Sequence, residues 1–208
     1  MSEIKPNTAT GSAPSPTVRK LMESAEAGNA KAQYALGMCY ANGEELPLNY
    51  VEAARWIASA AQHGLAEAQS TLGWLHANGF GVEQSDTEAG RWYLEAAHSG
   101  LASAQYTVGG MYRWGRYGVE RDLTEALTWL RRAAEQNLAA AQFALGRLLA
   151  AGREVPEQPV AAFQWLSLAI LNGSEPAKET LAELSGRMPP EQVEQAKREL
   201  LGRMAGGA

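Results

Sequence analysis

Small and apolar residues recur along this chain with two superposed periods. At the short range they fall at i, i+3, i+4 and i+7, as in Ala32, Ala35, Leu36 and Cys39, which is the stripe of an amphipathic helix. At the long range the stretch itself returns: AQYALGMCYANG (32–43), AQSTLGWLHANG (68–79), AQYTVGGMYRWG (104–115) and AQFALGRLLAAG (141–152). Gln33, Gln69, Gln105 and Gln142 are spaced 36, 36 and 37, and Trp56, Trp92, Trp129 and Trp165 are spaced 36, 37 and 36. The extra residue of the third copy falls where GRYGV replaces GFGV, so it lengthens a turn and spares the helices. A fixed period of this size is the signature of stacked supersecondary units.

Each unit reads as two helices. Helix A ends at Gly43, Gly79, Gly115 or Gly152, where a left-handed residue is wanted after the last turn. Helix B opens on a capping box in three copies, Asn49 with Glu52, Ser85 with Glu88 and Asp122 with Glu125, while the fourth opens on Gln158-Pro159. Ala53, Trp56, Ile57 and Ala60 then share one face of helix B. A glycine inside a helix costs about 1 kcal/mol relative to alanine. Yet Gly37, Gly73, Gly109 and Gly146 hold the same helix-A position in every copy, which predicts that a neighbouring helix approaches too closely for a Cβ. Four buried tryptophans and the column Cys39, Leu75, Met111, Leu148 are expected to complete the core.

These residues resemble the Sel-one-like repeat (SLR) family, relatives of the tetratricopeptide repeats. The pattern carried is A-x-x-x-LG-x-x-Y-x-x-G, then GV, a polar cap, A-x-x-W and AA-x-x-G, in four copies between Gly28 and Gly173. The resemblance implies an all-α fold, a right-handed α/α superhelix (solenoid) of four full 36–37-residue helix-pair repeats plus capping helices, with helices A on the concave wall. The expected organisation is a disordered tail over 1–16 and one solenoid over 17–203. Its repeats lie near 28–63, 64–99, 100–136 and 137–172, with a cap over 173–203 and a flexible end at 204–208. Leu21 and Ala25 read as half of a preceding helix B, and 176–188 with 190–201 as a degenerate fifth pair. The resemblance also implies work as an adaptor or scaffold without catalysis.

Composition narrows the function further. A net charge of -5 argues against general nucleic-acid binding. A single cysteine fits a reducing compartment, and no apolar run approaches the length of a membrane span. MSEIKPNTATGSAPSPT has no apolar segment of the secretory type, so a cytoplasmic location is expected, with no membrane partner. His76 shares a column with Tyr40, Tyr112 and Leu149, which makes it a packing residue, and no cluster of His and Cys points to a metal. The Gly79-Phe80-Gly81 loop joins two helices and lacks the preceding strand or following Gly-Lys of a phosphate loop. Catalytic residues, metals and cofactors are therefore all expected to be none.

What remains is the set of helix-A columns whose character changes from copy to copy. Column 38 runs Met38, Trp74, Gly110, Arg147, and column 34 runs Tyr34, Ser70, Tyr106, Phe143. Column 41 supplies Arg113, and column 42 supplies Asn42, Asn78 and Trp114. Residues spaced in this way share one helical face. The expected partner-binding set is thus Tyr34, Met38, Asn42, Trp74, Asn78, Tyr106, Arg113, Trp114, Phe143 and Arg147. The tryptophans would anchor, the asparagines would read peptide backbone, and Arg113 and Arg147 would read acids. Seven arginines against four acids between 113 and 153 favour an acidic protein or peptide. Padding between repeats by Tyr34, Tyr106 and Phe143 is the competing reading. For the whole chain the alternatives are a small-molecule or cell-wall-fragment protein or enzyme, and a homo-oligomerisation module, the chain otherwise being a monomer or weak homo-oligomer.

Overall fold

The computed structural model describes residues 14–206, and among these every regular element is an α-helix. The chain falls into two compact units that divide between Ser99 and Gly100. The first holds α1 (Pro16–Glu26), α2 (Ala30–Asn42), α3 (Tyr50–Gln62), α4 (Ala66–Asn78) and α5 (Asp86–His98). The second holds α6 (Ala102–Trp114), α7 (Leu123–Glu135), α8 (Ala139–Ala151), α9 (Pro159–Leu171), α10 (Pro176–Arg187) and α11 (Pro190–Gly206). Helices A of the four repeats are α2, α4, α6 and α8, and each packs most closely on the helix that follows it.

Local signals set the helix ends. Gly43, Gly79, Gly115 and Gly152 all adopt the left-handed conformation after their helices. Asn49, Ser85 and Asp122 cap α3, α5 and α7 by accepting from backbone N–H groups of the first turn. The reciprocal half of the expected capping box takes another form. The N–H of each cap residue donates to a carbonyl of helix A: Asn49 to Tyr40, Ser85 to His76 and Asp122 to Tyr112. Glu52 and Glu88 therefore turn to Arg55 and Arg91, at 2.8 and 2.7 Å.

Packing follows the glycine and alanine columns. A Cβ at Gly37 would lie 2.6 Å from Ile57 Cγ1, and at Gly109 or Gly146 it would lie 2.8 Å from the Cγ of Leu130 or Leu166. At Gly73 the nearest atoms, in Ala89 and Tyr93, would be 3.1 Å away. Helix B meets this notch with alanines that are wholly buried, Ala53 and Ala60 in the first copy and their equivalents in the others. Close approach of backbone is what offsets the poor helix propensity of these glycines.

Three expectations need correction. The helix-A stripe is not centred on position 35. Ala35 is exposed, whereas Gln33, Gln69, Gln105 and Gln142 are buried. A buried amide must be bonded, and Gln33, Gln69 and Gln142 donate from Nε2 to the carbonyls of Ala25, Ala61 and Ala134. Those carbonyls end the preceding helices, so each glutamine fastens one helix pair to the next. The tryptophans, secondly, are not four buried rings. Trp129 and Trp165 are buried, but Trp56 and Trp92 are half-buried, with the guanidinium groups of Arg55 and Arg91 lying 4.4 and 4.2 Å above them. Thirdly, α10 and α11 are not a fifth repeat pair. α10 packs on α9 and α8, while α11 lies on α9, because only Met188 and Pro189 separate the two helices where the repeats have a longer loop.

The ends also differ from the expectation. The helix at the N-terminal end begins at Pro16 with Ser15 as its cap, and residues 1–13 of the expected tail lie outside the described residues. At the other end α11 continues past Arg203 to Gly206.

Candidate functional site

The residues singled out by chemistry turn out to have structural duties. His76 is half-buried, and its Nδ1 is 3.2 Å from the Glu83 carbonyl, which ties helix α4 to the following loop. Gly79 ends α4, and a Cβ at Gly81 would collide with the carbonyl of Tyr50, so both glycines serve the turn. His63 and His98 are exposed. Cys39 is half-buried, and its thiol is pushed above the ordinary cysteine range by burial and then by the negative charges of Glu44 and Glu45. A thiol shifted that way is a poor nucleophile at neutral pH. Among the described residues no group of three His, Cys, Asp or Glu side chains could hold a metal ion. No helix among them is long and apolar enough to cross a membrane.

In the first unit the copy-variable positions are partly absorbed into packing. Tyr34 and Met38 are half-buried against the cluster around Ala53, Ile57 and Leu72, and the Tyr34 hydroxyl is 3.2 Å from Thr71 Oγ1. Trp74 is 47% exposed, its ring tilted by 34° against Phe80 at 5.1 Å between centroids. Phe80 in turn stacks on Tyr50 at 5.0 Å, so the indole is the outer member of an aromatic stack. Asn78 donates from Nδ2 to the Trp74 carbonyl at 2.8 Å, and Asn42 donates to Glu44 Oε1 at 3.2 Å. Each amide nitrogen thus has one local acceptor.

In the second unit the same face is more open and more charged. Trp114 is 56% exposed and Tyr106 38% exposed. The Arg113 guanidinium lies 4.6 Å from the Trp114 ring centre and is already paired with Glu154, at 2.8 Å through Nε and 3.3 Å through Nη2. The hydrogen bond from Arg113 holds the Glu154 carboxyl below its ordinary range, and the positive charges of Arg113, Arg121 and Arg147 add to this. Arg147 is exposed, and its guanidinium lies 5.4 Å from the centre of the half-buried Phe143 ring. Between α6 and α8 lies a cavity of about 350 Å³ lined by Tyr106, Thr107, Gly110, Arg113, Trp114, Leu130, Ala144 and Arg147.

The sequence singled out ten positions, and the structure distributes them over two units, each with one exposed tryptophan. It brings Tyr106, Arg113, Trp114 and Arg147 to a single cavity. It adds three residues that the columns alone did not reveal: Phe80 and Tyr50, which support Trp74, and Glu154, which neutralises Arg113. Glu154 stands one position beyond the arginine-rich window, where an acid next to so many arginines was the available signal.

The Sel1 repeat is matched four times, over residues 30–65, 66–101, 102–138 and 139–174. No curated protein matches the chain significantly. Among solved structures the chain is similar to a Sel1 repeat protein from Oxalobacter formigenes, with 30% identity, a TM-score of 0.75 and coverage of 88% of this chain and 78% of that one. It is also similar to a protective antigen of uropathogenic Escherichia coli strains displaying an SLR fold. That match has 27% identity and a TM-score of 0.77, and it covers 90% of this chain but 41% of the antigen. An immunity protein from Pseudomonas aeruginosa shares the fold at 17% identity and a TM-score of 0.53, covering 89% of this chain and 71% of its own. With four matched copies spanning most of its length, the chain belongs to the Sel1 repeat family.

Proposed function

We propose that the protein is a non-catalytic interaction scaffold that takes an extended peptide, or an extended segment of a partner protein, on the helix-A faces of its two units. Sel1 repeat proteins are typically scaffolds for protein interaction, which supports this class of work. The observation that carries the reading is the exposure of Trp74 and Trp114 at positions that vary among copies, while the invariant glutamine and notch-glycine columns of the same helices are buried. Large rings held ready on a rigid helix give contact area with little entropy to lose. Trp74 and Trp114 are the anchors, with Tyr34, Met38, Tyr106 and Phe143 as the apolar surround. The side-chain carbonyls of Asn42 and Asn78 accept from peptide N–H groups. Arg113 positions the Trp114 indole, and Arg147 meets acidic groups. The working location is a reducing one, the cytoplasm, where Cys39 stays a thiol.

Quantitative affinity capture from native lysate tests this, comparing wild type with Trp74→Ala, Trp114→Ala and the double variant. A partner should be depleted about tenfold or more in the double variant, with the thermal midpoint nearly unchanged. Recovery of the same partners by all four proteins would overturn the reading.

A further inference from the structure

Two adjacent glycines in α6 differ in what surrounds them. Gly109 is forced by the helix crossing, since a Cβ there would press on Leu130. Gly110 is not forced: an added Cβ would meet no atom within 4 Å. A helical glycine with no steric reason is a standing cost of about 1 kcal/mol. The other three copies carry Met38, Trp74 and Arg147 at this position. The absent side chain leaves the floor of the α6–α8 cavity clear.

The walls of that cavity say what would enter. Tyr106, Trp114, Leu130 and Ala144 present ring and alkyl surface. Its about 350 Å³ is at the lower end of small-ligand pockets, a size suited to one side chain rather than a whole cofactor. Of the two rim arginines, Arg113 is engaged by Glu154. Arg147 has no ion-pair partner among the described residues, and it also lines a second cavity, of about 270 Å³, together with Arg153 and Arg187. Arg187 is paired with Glu157 at 3.1 Å, which leaves Arg147 and Arg153 against Glu183, the acid lining that second cavity. The strip leading away from the Gly110 floor therefore carries an excess of positive charge.

We propose that the Gly110 cavity is a specificity pocket for one apolar side chain of a bound extended segment, and that Arg147 takes the carboxylate of an Asp or Glu next to it in that segment. The proposal rests on the scaffold reading and names the chemistry of its partner. An apolar side chain buries against Leu130 and the two rings, and the neighbouring backbone runs across α8 towards the second cavity. A carboxylate there gains a charge-assisted, bidentate bond to a guanidinium that has no ion-pair partner among the described residues. A basic residue at the same place would face Arg147 and Arg153.

The test is selection of a random-peptide display library on the full chain, followed by anisotropy of a fluorescein-labelled synthetic copy of the recovered sequence. Recovered peptides should share an apolar residue flanked by Asp or Glu, and exchanging that acid for Lys should weaken binding about tenfold or more. Gly110→Met fills the floor and should lose the same peptide while raising the melting temperature, so loss of fold is not confused with loss of site. Arg147→Glu should shift the preference from the acidic to the Lys-containing copy. The proposal is overturned if no sequence is enriched, if Gly110→Met keeps full affinity, or if the Lys copy binds as well. A recovered peptide that survives Gly110→Met but is lost in Trp74→Ala would leave the scaffold reading standing and sink the pocket alone.

Discussion

The first and second units solve the same repeat differently at one helix-A position. In α4 the position is Trp74, backed by Phe80 and Tyr50, and the surface is filled by a stack of three rings. In α6 it is Gly110, and the surface is a cavity edged by Trp114, Tyr106 and Arg147. The backbone hardly notices. Both helices are 13 residues long, both end on a left-handed glycine, and both carry a notch glycine against the next helix. The difference teaches that the columns setting the fold and the columns facing outward are separable, so one outward residue can turn a filled face into a pocket without touching the scaffold.

The notch beneath both faces is the most sensitive point of the scaffold. Gly109→Leu forces a side chain into Leu130, where a Cβ alone would sit 2.8 Å from Cγ. Overpacking of this kind costs about 1–3 kcal/mol. Urea unfolding should show it as a lower midpoint, and an unchanged midpoint would mean that α6 and α7 can simply separate. Gln142→Leu comes next. It removes one of the donors to the Ala134 carbonyl, which keeps the Asn137 N–H at 3.1 Å, and the acceptor of the exposed Asn172 amide, interactions of 3.1 and 2.9 Å. Each lost hydrogen bond is worth about 0.5–1.5 kcal/mol, and calorimetry should find the loss larger than for the exposed Gln136→Leu. Gly110→Ala has the opposite sign. With open space around the new methyl group, it should stabilise the chain by about 0.5–1 kcal/mol. A destabilised Gly110→Ala would mean that this glycine is structural after all.

Much of the scaffold was legible because packing repeats with the chain. The glycine notch, the alanine faces and the left-handed helix ends each appear four times, and a constraint met four times leaves a column. What failed to show was anything specified by a pair rather than by a column. The glutamines marked the period, but that they bond a carbonyl of the preceding helix depends on the register between helices. Trp129 is buried where Trp56 is half-buried, a difference that their shared column does not carry. Arg113 reads as a free cation until its partner across 41 positions is seen. The Gly110 pocket was written in the sequence as two successive glycines, of which packing needed only the first.

Acid should act on the two faces unequally, because one is held by rings and the other by an ion pair. Arg113 depresses the folded-state pKa of Glu154 below the unfolded value of about 4.3. Stabilisation from such a group is present in full above that unfolded value and is lost as pH falls through the lower folded one. The side chains are 16% and 22% exposed, so solvent screening keeps the gain to no more than about 1 kcal/mol. Glu154→Gln should therefore be slightly less stable than wild type at neutral pH, and the two should converge below about pH 4. The indole N–H resonances provide a local view of the same event. That of Trp114, which lies under Arg113, should move over this acid range in wild type and stay still in Glu154→Gln. That of Trp74, resting on Phe80, should stay still in both. Movement of both resonances together would show that acid loosens the whole helix-A face, and the two units would then differ in shape but not in how they are held.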